Sequence, residues 1–216
     1  MRIQFRHTKR IALTAAVIAY QAIITGSAAA EPIKCDAELI ASETAHAKLT
    51  FDEIAGQANS GDVVAQNELG RRYGMGTGVD KNSETSFNWY EKAAGTGLCS
   101  AQTNLAFMYL NGEGVEKNPI LAQVWYTKAA NQGDERAQYA LGYLNLLGTD
   151  VPKNGAAAEK WFLMAANRGY ISAQRALVVL YRDGDGQNIA KDPDKAILWF
   201  TRVRDASASG KAWKQE

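Results

Sequence analysis

The chain of 216 residues has few cysteines, no long apolar run and almost no net charge. Two cysteines are too few for a disulfide-rich scaffold, and a net charge of +1 lacks the basic excess of nucleic-acid binders. No stretch reaches the ~18 consecutive apolar residues of a membrane-spanning helix. With 46% hydrophobic and 22% charged residues, the composition is typical of an ordered chain of one or two small domains.

Sequence motifs of common catalytic and metal sites are also missing. The chain contains no H-E-x-x-H, G-x-S-x-G, S-x-x-K, paired C-x-x-C or G-x-x-x-x-G-K pattern. We interpret His46, the one histidine after the first thirty residues, as a surface residue rather than a base or a ligand. The sequence therefore predicts a protein that is not an enzyme and that binds no cofactor and no metal.

Two loops imitate ligand-binding motifs. The glycines from Gly74 to Gly78 resemble a phosphate loop, but no strand precedes them, so an inter-helix turn is favoured. Asp183, Asp185 and Asp194 have the spacing of a calcium loop. Its glycine position is Asn188 and its last ligand is Asp rather than Glu, so we interpret this segment as a lengthened loop.

The first thirty residues have the pattern of a secretory leader. Residues 1–10 carry four basic and no acidic side chains, and a mostly apolar run follows from Ile11 to Ile24. Small residues up to Ala30, before Glu31, fit a cleavage site. We expect residues 1–30 to be a signal peptide and the bacterial chain to be periplasmic or secreted. The alternative, an uncleaved anchor, is disfavoured by an apolar run of only about 14 residues.

Export would change both the charge and the redox environment of the chain. Without the leader the net charge is −3, so we expect no nucleic-acid partner and no membrane span. Cys35 and Cys99 would meet an oxidising compartment, where a bond between them would contribute ~3–4 kcal/mol. Their spacing does not reveal whether the two α-carbons come close enough, so the pairing stays open.

A period of 36 residues organises the rest of the chain. Glycines keep this step at Gly61, Gly97, Gly133 and Gly169. The dipeptide Ala-Gln recurs at Ala65-Gln66, Ala101-Gln102, Ala137-Gln138 and Ala173-Gln174. Tryptophan follows at Trp89, Trp125, Trp161 and Trp199, and the longer last step indicates a two-residue insertion in the fourth copy. Four copies of one structural unit are therefore predicted.

Each copy has the spacing of two helices. Ala65, Leu69 and Tyr73 share one helical face, and in the second helix Trp89 and Ala93 do the same. We expect the tryptophans to be core residues. The loop between the helices contains glycines. A cap residue such as Asn118, followed by Pro119, predicts the start of the second helix.

Because neither helix can bury its apolar face alone, we predict an all-α, right-handed α-solenoid of four helix-turn-helix repeats with an N-terminal capping helix. Thr50 and Glu53 form a capping box that begins this lone second helix. We assign residues 31–60 to the cap, 61–96, 97–132, 133–168 and 169–206 to the repeats, and 207–216 to a polar tail.

The repeat unit resembles the Sel-1-like repeat, a longer-looped relative of the tetratricopeptide repeat. The shared pattern is Ala-x-x-x-Leu-Gly-x-x-Tyr, a glycine-valine loop, an Asn or Asp cap, and Trp-Tyr-x-Lys-Ala-Ala-x-x-Gly, as at Lys92-Ala93-Ala94 and Lys128-Ala129-Ala130. It extends from Gly61 to Arg204. The resemblance implies an adaptor or interaction protein, with exported bacterial members in envelope signalling, surface assembly and contact with host factors.

The first helices carry polar and aromatic residues opposite their apolar face, and in a solenoid these positions align into one concave strip. We predict that a protein or peptide partner binds there, and the alternative is that the rings pack against neighbouring first helices. The predicted partner-binding residues are Asn67, Arg71, Thr103, Phe107, Arg136, Tyr139, Tyr143 and Arg175.

The predicted function is an exported, non-catalytic scaffold or adaptor. One alternative is a purely structural envelope scaffold. The other is a weak β-lactam hydrolase or penicillin-binding protein, like cysteine-rich relatives that carry a cysteine pair in each repeat. This chain lacks those pairs.

Overall fold

The structure is a computed structural model that describes Cys35 and residues 37–209. The predicted signal peptide, its cleavage residues Ala30 and Glu31, and most of the predicted polar tail lie outside this range. Within it lie ten α-helices: α1 (Ala37–His46), α2 (Phe51–Asn59), α3 (Val63–Met75), α4 (Ser83–Gly95), α5 (Cys99–Asn111), α6 (Pro119–Asn131), α7 (Glu135–Leu147), α8 (Gly155–Asn167), α9 (Ile171–Asp183) and α10 (Pro193–Ser209). None of these described helices combines the length and hydropathy needed to cross a membrane.

Helices α3 to α10 form four consecutive pairs, and each second helix also packs on the first helix of the next pair. Helix α2 packs on α3 as a lone second helix. It begins with the predicted capping box, because the Glu53 N–H donates to Thr50 Oγ1 and the Thr50 N–H donates to Glu53 Oε2. The predicted all-α repeat solenoid is confirmed.

The recurring Ala-Gln pair joins each repeat to the unit before it. Each alanine is fully buried, and each glutamine Nε2 donates to an alanine carbonyl eight residues earlier, in the last turn of the preceding second helix. The four donor–acceptor distances are 3.2, 3.4, 3.0 and 3.1 Å, from Gln66, Gln102, Gln138 and Gln174 to the carbonyls of Ala58, Ala94, Ala130 and Ala166. The dipeptide therefore recurs because it forms the joint between repeats.

The aromatic core lies one residue beyond the tryptophans. Tyr90, Tyr126 and Phe162 are only 8, 3 and 0% exposed. The preceding residues Trp89, Trp125 and Trp161 are half-buried and pack against the core from its edge, so the expectation that the tryptophans are core residues is correct in part for these three and fully for Trp199. In the first two repeats the other face of the ring packs under a lysine: the Lys92 Nζ lies 5.1 Å from the Trp89 ring centroid, and the Lys128 Nζ lies 3.8 Å from the Trp125 ring centroid.

Candidate interaction surface

Four equivalent positions on the first helices form an exposed strip, called here the open strip: Arg71, Phe107, Tyr143 and Val179. Three of these side chains are largely apolar and well exposed, at 50% for Phe107, 39% for Tyr143 and 48% for Val179. The residue that follows each of them is buried. An exposed apolar side chain therefore recurs at this position in the second, third and fourth repeats.

The open strip has a polar end at the first repeat. The Arg71 guanidinium donates to both carboxylate oxygens of Glu68, at 2.7 and 2.8 Å, so the ion pair is bidentate. A cleft of about 260 Å³ lies beside it, between Arg71, Met75, Tyr90 and Phe107. The strip thus offers an apolar surface with a positioned charge at one end.

Asn67 and Thr103 are not exposed, which corrects the prediction that they bind a partner. They are only 9 and 7% exposed, because first helices of adjacent repeats contact each other. The Asn104 Nδ2 donates to Asn67 Oδ1 at 2.9 Å across that contact. The helical pattern of one repeat places these residues away from their own second helix, but a neighbouring helix occupies the space.

Tyr139 also contributes more to packing than to an open surface. Its ring centroid lies 5.0 Å from that of Tyr143, 5.9 Å from Phe162 and 5.4 Å from Tyr170. Burial, together with hydrogen bonding to Tyr143, raises the pKa of Tyr139 to about 12. The alternative prediction, that these rings pack against their neighbours, describes Tyr139, whereas Tyr143 remains in the open strip.

The two remaining predicted residues differ in their surroundings. Arg175 is exposed on α9. Arg136, at the start of α7, keeps its side chain about half exposed and donates to Asp134 Oδ2 at 3.1 Å. Asp134 is buried and also caps α7, because its Oδ1 accepts the N–H groups of Arg136 and Ala137.

Helix α1 covers part of the first-helix surface, and this was not predicted from the sequence. Just before the helix, the Cys35 N–H donates to the Gln132 carbonyl at 3.4 Å, and Arg168 Nη2 donates to the Cys35 carbonyl at 3.3 Å. Cys35 and Cys99 form a disulfide with a Cα–Cα distance of 6.1 Å. The start of the described chain is therefore held against the second and third repeats.

The other end of α1 lies on the first repeat. Asn67 Nδ2 donates to Glu43 Oε1 at 3.4 Å. Arg72 Nη2 donates to the Leu49 carbonyl at 2.5 Å, and Arg72 is itself paired with the buried Glu68. Leu39, between these two ends, is buried in a core cluster that extends over the first three repeats.

Two ionisable groups of α1 have shifted pKa values. Burial raises the pKa of Glu43 above its ordinary value, against the opposing effects of Ser100 and Arg136. A hydrogen bond to Asp62 raises the pKa of His46, whose Nε2 lies 3.5 Å from Asp62 Oδ2. The His46 side chain is only 15% exposed, so its interpretation as a surface residue is wrong. It fixes the end of α1 to the cap of α3.

Among the described residues, one cluster of three could offer ligands to a metal ion: Cys35, Cys99 and Asp134, with donor atoms within 4.8 Å of one another. The two sulfurs are bonded to each other, so they are not metal ligands in this state. In the fourth loop, Asp185 Oδ1 accepts three backbone N–H groups, from Gln187, Asn188 and Ile189. Asp183 pairs with Arg182. These acids stabilise the loop itself.

Comparison with known proteins agrees with this architecture. The Sel1 repeat profile matches residues 63–95, 99–134, 135–170 and 171–202. No curated protein sequence matches the chain significantly.

Several solved structures are similar. The protective antigen c5321 of uropathogenic Escherichia coli, which displays an SLR fold, is 33% identical with a TM-score of 0.66, and the match covers 72% of this chain and 33% of that one. A Sel1 repeat protein from Oxalobacter formigenes is 36% identical with a TM-score of 0.61, and 70% of this chain matches 59% of that one. A Sel1 repeat protein from Klebsiella pneumoniae, at 19% identity and a TM-score of 0.53, shares the fold over 77% of this chain and 86% of its own.

This chain thus spans about a third of the E. coli antigen and 59% of the Oxalobacter protein. Four matched repeats cover most of its length, and each coincides with one helix pair of the structure. The chain belongs to the Sel1 repeat family.

Proposed function

We propose that this chain is an exported scaffold that binds a protein or peptide segment on its concave first-helix surface, through the open strip. Sel1 repeats typically mediate protein–protein interaction and are generally non-catalytic. The observation that carries the proposal is the recurrence of exposed apolar side chains at one repeat position, in Phe107, Tyr143 and Val179. Large apolar side chains surrounded by charged ones are typical of interface hot spots. The ion-paired Arg71 and the exposed Arg175 supply a polar surround.

The partner would lie along the strip and cross several repeats. Phe107, Tyr143 and Val179 belong to three consecutive first helices, so a bound segment would contact α5, α7 and α9 in turn. The cleft beside Phe107 would accept one anchoring side chain. Arg71 is already neutralised by Glu68, which leaves Arg175 to attract acidic groups of the partner.

The test compares two double variants in a pull-down from the exported fraction. Phe107→Ser with Tyr143→Ser should reduce recovery of a stoichiometric partner at least tenfold while the chain stays folded, with a modest loss of stability because the Tyr143 ring also packs against Tyr139 and Phe162. The matched control is Ile120→Ser with Val124→Ser, which removes two exposed apolar residues from the second helix α6. Equal recovery with both variants, or equal loss, would contradict the proposal.

Export itself has a separate test. The leader pattern supports cleavage after Ala30, which would give a mature chain that starts at Glu31. Intact-mass measurement of the protein from the periplasm or the medium should show that start. A mass that still includes Met1 would mean that the leader is retained.

A further inference from the structure

We propose that Cys35, Cys99 and Asp134 bind a thiophilic divalent cation of the Zn²⁺ type when the disulfide between the two cysteines is reduced. With the bond intact the two sulfurs are not available as ligands, so metal binding depends on the redox state of the chain. The site lies where the segment before α1 meets the first residue of α5 and the cap of α7. It is separate from the open strip.

The three donor atoms already lie close together. The two sulfurs and a carboxylate oxygen of Asp134 are within 4.8 Å of one another, and the Cys35 Sγ is 3.9 Å from Asp134 Oδ2. In a tetrahedral site with Zn–S bonds of ~2.3 Å and Zn–O bonds of ~2.0 Å, a sulfur and an oxygen ligand are about 3.5 Å apart. The observed separation is thus close to the one that a shared ion requires.

The Asp134 carboxylate is oriented by its other partners. Its Oδ1 accepts the N–H groups of Arg136 and Ala137, and its Oδ2 accepts Arg136 Nη2 at 3.1 Å. An ionised carboxylate has about four lone-pair positions, so Oδ2 keeps one that can bind a metal ion. Hydrogen bonds of this kind fix the orientation of ligands in metal sites. The Arg136 contact therefore positions the oxygen ligand and leaves it able to bind.

The charges around the cluster favour a divalent cation. Two thiolates and the Asp134 carboxylate carry three negative charges, which a divalent ion and the adjacent Arg136 guanidinium together neutralise. The same residues line a cavity of about 110 Å³, whose wall also contains Glu43 and Glu135. This volume has room for a water molecule as the fourth ligand, which is the usual arrangement when a protein supplies three ligands to zinc.

Contacts other than the disulfide keep Cys35 at the site after reduction. Its N–H donates to the Gln132 carbonyl at 3.4 Å, and its carbonyl accepts Arg168 Nη2 at 3.3 Å. Leu39, one helical turn further along, is buried in the core. Cys99 is fully buried at the start of α5. The two thiols are therefore held near each other without a covalent bond between them.

Reduction and metal binding are two balanced steps. The thiolate of a dithiol reductant attacks the half-buried Cys35 sulfur, the bond to Cys99 breaks, and Cys99 leaves as a thiolate that takes up a proton. The second thiol of the reductant displaces Cys35, which is also protonated, and the reductant ends as a disulfide after giving two electrons. Zn²⁺ then binds both sulfurs as thiolates, and their two protons pass to the solvent. Thiolate ligands select Zn²⁺ over Mg²⁺ and Ca²⁺.

The test is a titration of the reduced full chain with Co²⁺, a spectroscopic substitute for Zn²⁺. The chain is reduced with a dithiol, separated from it in the absence of air, and shown to contain two free thiols. We expect saturation at one Co²⁺ per chain, with a thiolate-to-metal charge-transfer band that Zn²⁺ abolishes. The disulfide-bonded chain should show no such band. A reduced chain that lacks the band, or a disulfide-bonded chain that shows it, would overturn the proposal.

Two matched variants test the carboxylate. Asp134→Asn keeps a side-chain oxygen for the cap of α7 and removes the negative ligand, so the affinity for Zn²⁺ should fall at least tenfold. The control is Asp192→Asn in the fourth repeat, where Oδ1 accepts the Lys195 N–H at the start of α10. Its affinity should stay within threefold of that of the natural chain. Equal affinities of the two variants would contradict the proposal.

A measurement on the natural chain covers the case in which Asp134→Asn loses its helical content. Saturating Zn²⁺ should slow the alkylation of both Cys35 and Cys99 by iodoacetamide at least tenfold, because the metal-bound sulfurs are no longer free thiolates. Peptide mapping would report each cysteine separately. Unchanged alkylation of either one would also overturn the proposal. None of these measurements involves Phe107 or Tyr143, so their failure is distinguishable from a failure of the open strip to bind a partner.

Discussion

The ring of Phe162 packs directly against the backbone of Gly142, so close that a β-carbon at that glycine would overlap the ring. The two residues lie on the paired helices α7 and α8 of the third repeat. Tyr90 makes the same close approach to Gly70 in the first repeat. A glycine in the middle of a helix, which costs stability by itself, is thus used for close packing of the two helices of a repeat.

Gly142→Ala should therefore destabilise the protein by about 1–3 kcal/mol through overpacking, although alanine favours helix formation. Urea denaturation would measure the change. The matched control is Gly56→Ala on α2, where nothing lies within 4 Å of an added β-carbon. There the substitution should be neutral or stabilising. An unchanged free energy of unfolding for Gly142→Ala would show that the two helices can move apart without loss of stability.

Tyr126 should be more important for stability than its neighbour Trp125. Tyr126 is almost fully buried, so Tyr126→Ala should cost ~3–5 kcal/mol by creating a cavity. Trp125 is half-buried under Lys128, so Trp125→Ala should cost clearly less. Thermal or urea unfolding of the two variants gives the comparison. A larger loss of stability for Trp125→Ala than for Tyr126→Ala would mean that the Trp125 ring contributes more to the core than the Tyr126 ring.

The disulfide should contribute about 4 kcal/mol, because it closes a loop with a sequence separation of 64 residues in the unfolded chain. The variant with Cys35→Ser and Cys99→Ser should therefore unfold at a lower urea concentration. Adding a dithiol should shift the natural chain by the same amount and leave the double variant unchanged. If both proteins unfold at the same midpoint without reductant, the cysteines are not paired in solution.

Docking of α1 should weaken as the pH rises above 6.5. His46 has a raised pKa because it donates to Asp62, and the charge of Glu68 acts in the same direction. Its contribution is complete below the ordinary pKa of 6.5 and is lost as the pH passes through the raised value in the folded protein. The effect should be below about 1 kcal/mol, since Asp62 is partly exposed.

Hydrogen exchange at residues 37–46 measures this effect, after correction for the pH dependence of intrinsic exchange. Between pH 6 and 9 the protection should fall in the natural chain and stay constant with His46→Gln. Glu43 acts with the same sign, because its pKa is raised by burial: its contribution is complete below the ordinary pKa of 4.5 and is lost as the pH rises through the raised value. A pH-dependent loss that persists with His46→Gln would assign the effect to another group.

The repeat architecture was predictable because its signals are local and repeated four times. Each signal depends only on the backbone conformation of nearby residues, as in the regularly spaced glycines, the Asn118–Pro119 cap and the Thr50–Glu53 capping box. Which side chains of a helix are exposed to solvent could not be predicted in the same way, because exposure depends on neighbouring helices. The helical period of α3 alone predicts that Asn67 is exposed, but it is buried because a neighbouring helix and α1 lie on it.

The position of α1 could not be derived from the sequence, because it depends on contacts between residues far apart in the chain, at separations that range from 16 residues for His46 and Asp62 to 133 residues for Cys35 and Arg168. The pair Leu39 and Glu43 is too short a pattern to indicate which surface it covers. The two cysteines were the one available signal, and their separation left the pairing open. In the same way, Phe107 and Tyr139 were both predicted to face outward, and the rings that pack on Tyr139, from Phe162 and Tyr170, belong to a different helix and to the next loop.

The contacts of Cys35 also impose an order on folding. A repeat protein built only from neighbouring contacts can begin to fold at any unit and grow in either direction. Cys35, however, hydrogen-bonds to Gln132 and, at a separation of 133 residues, to Arg168. During synthesis the first described segment must wait until the third repeat has formed. Docking of the N-terminal helix is therefore a late step that makes the first three otherwise sequential repeats cooperative.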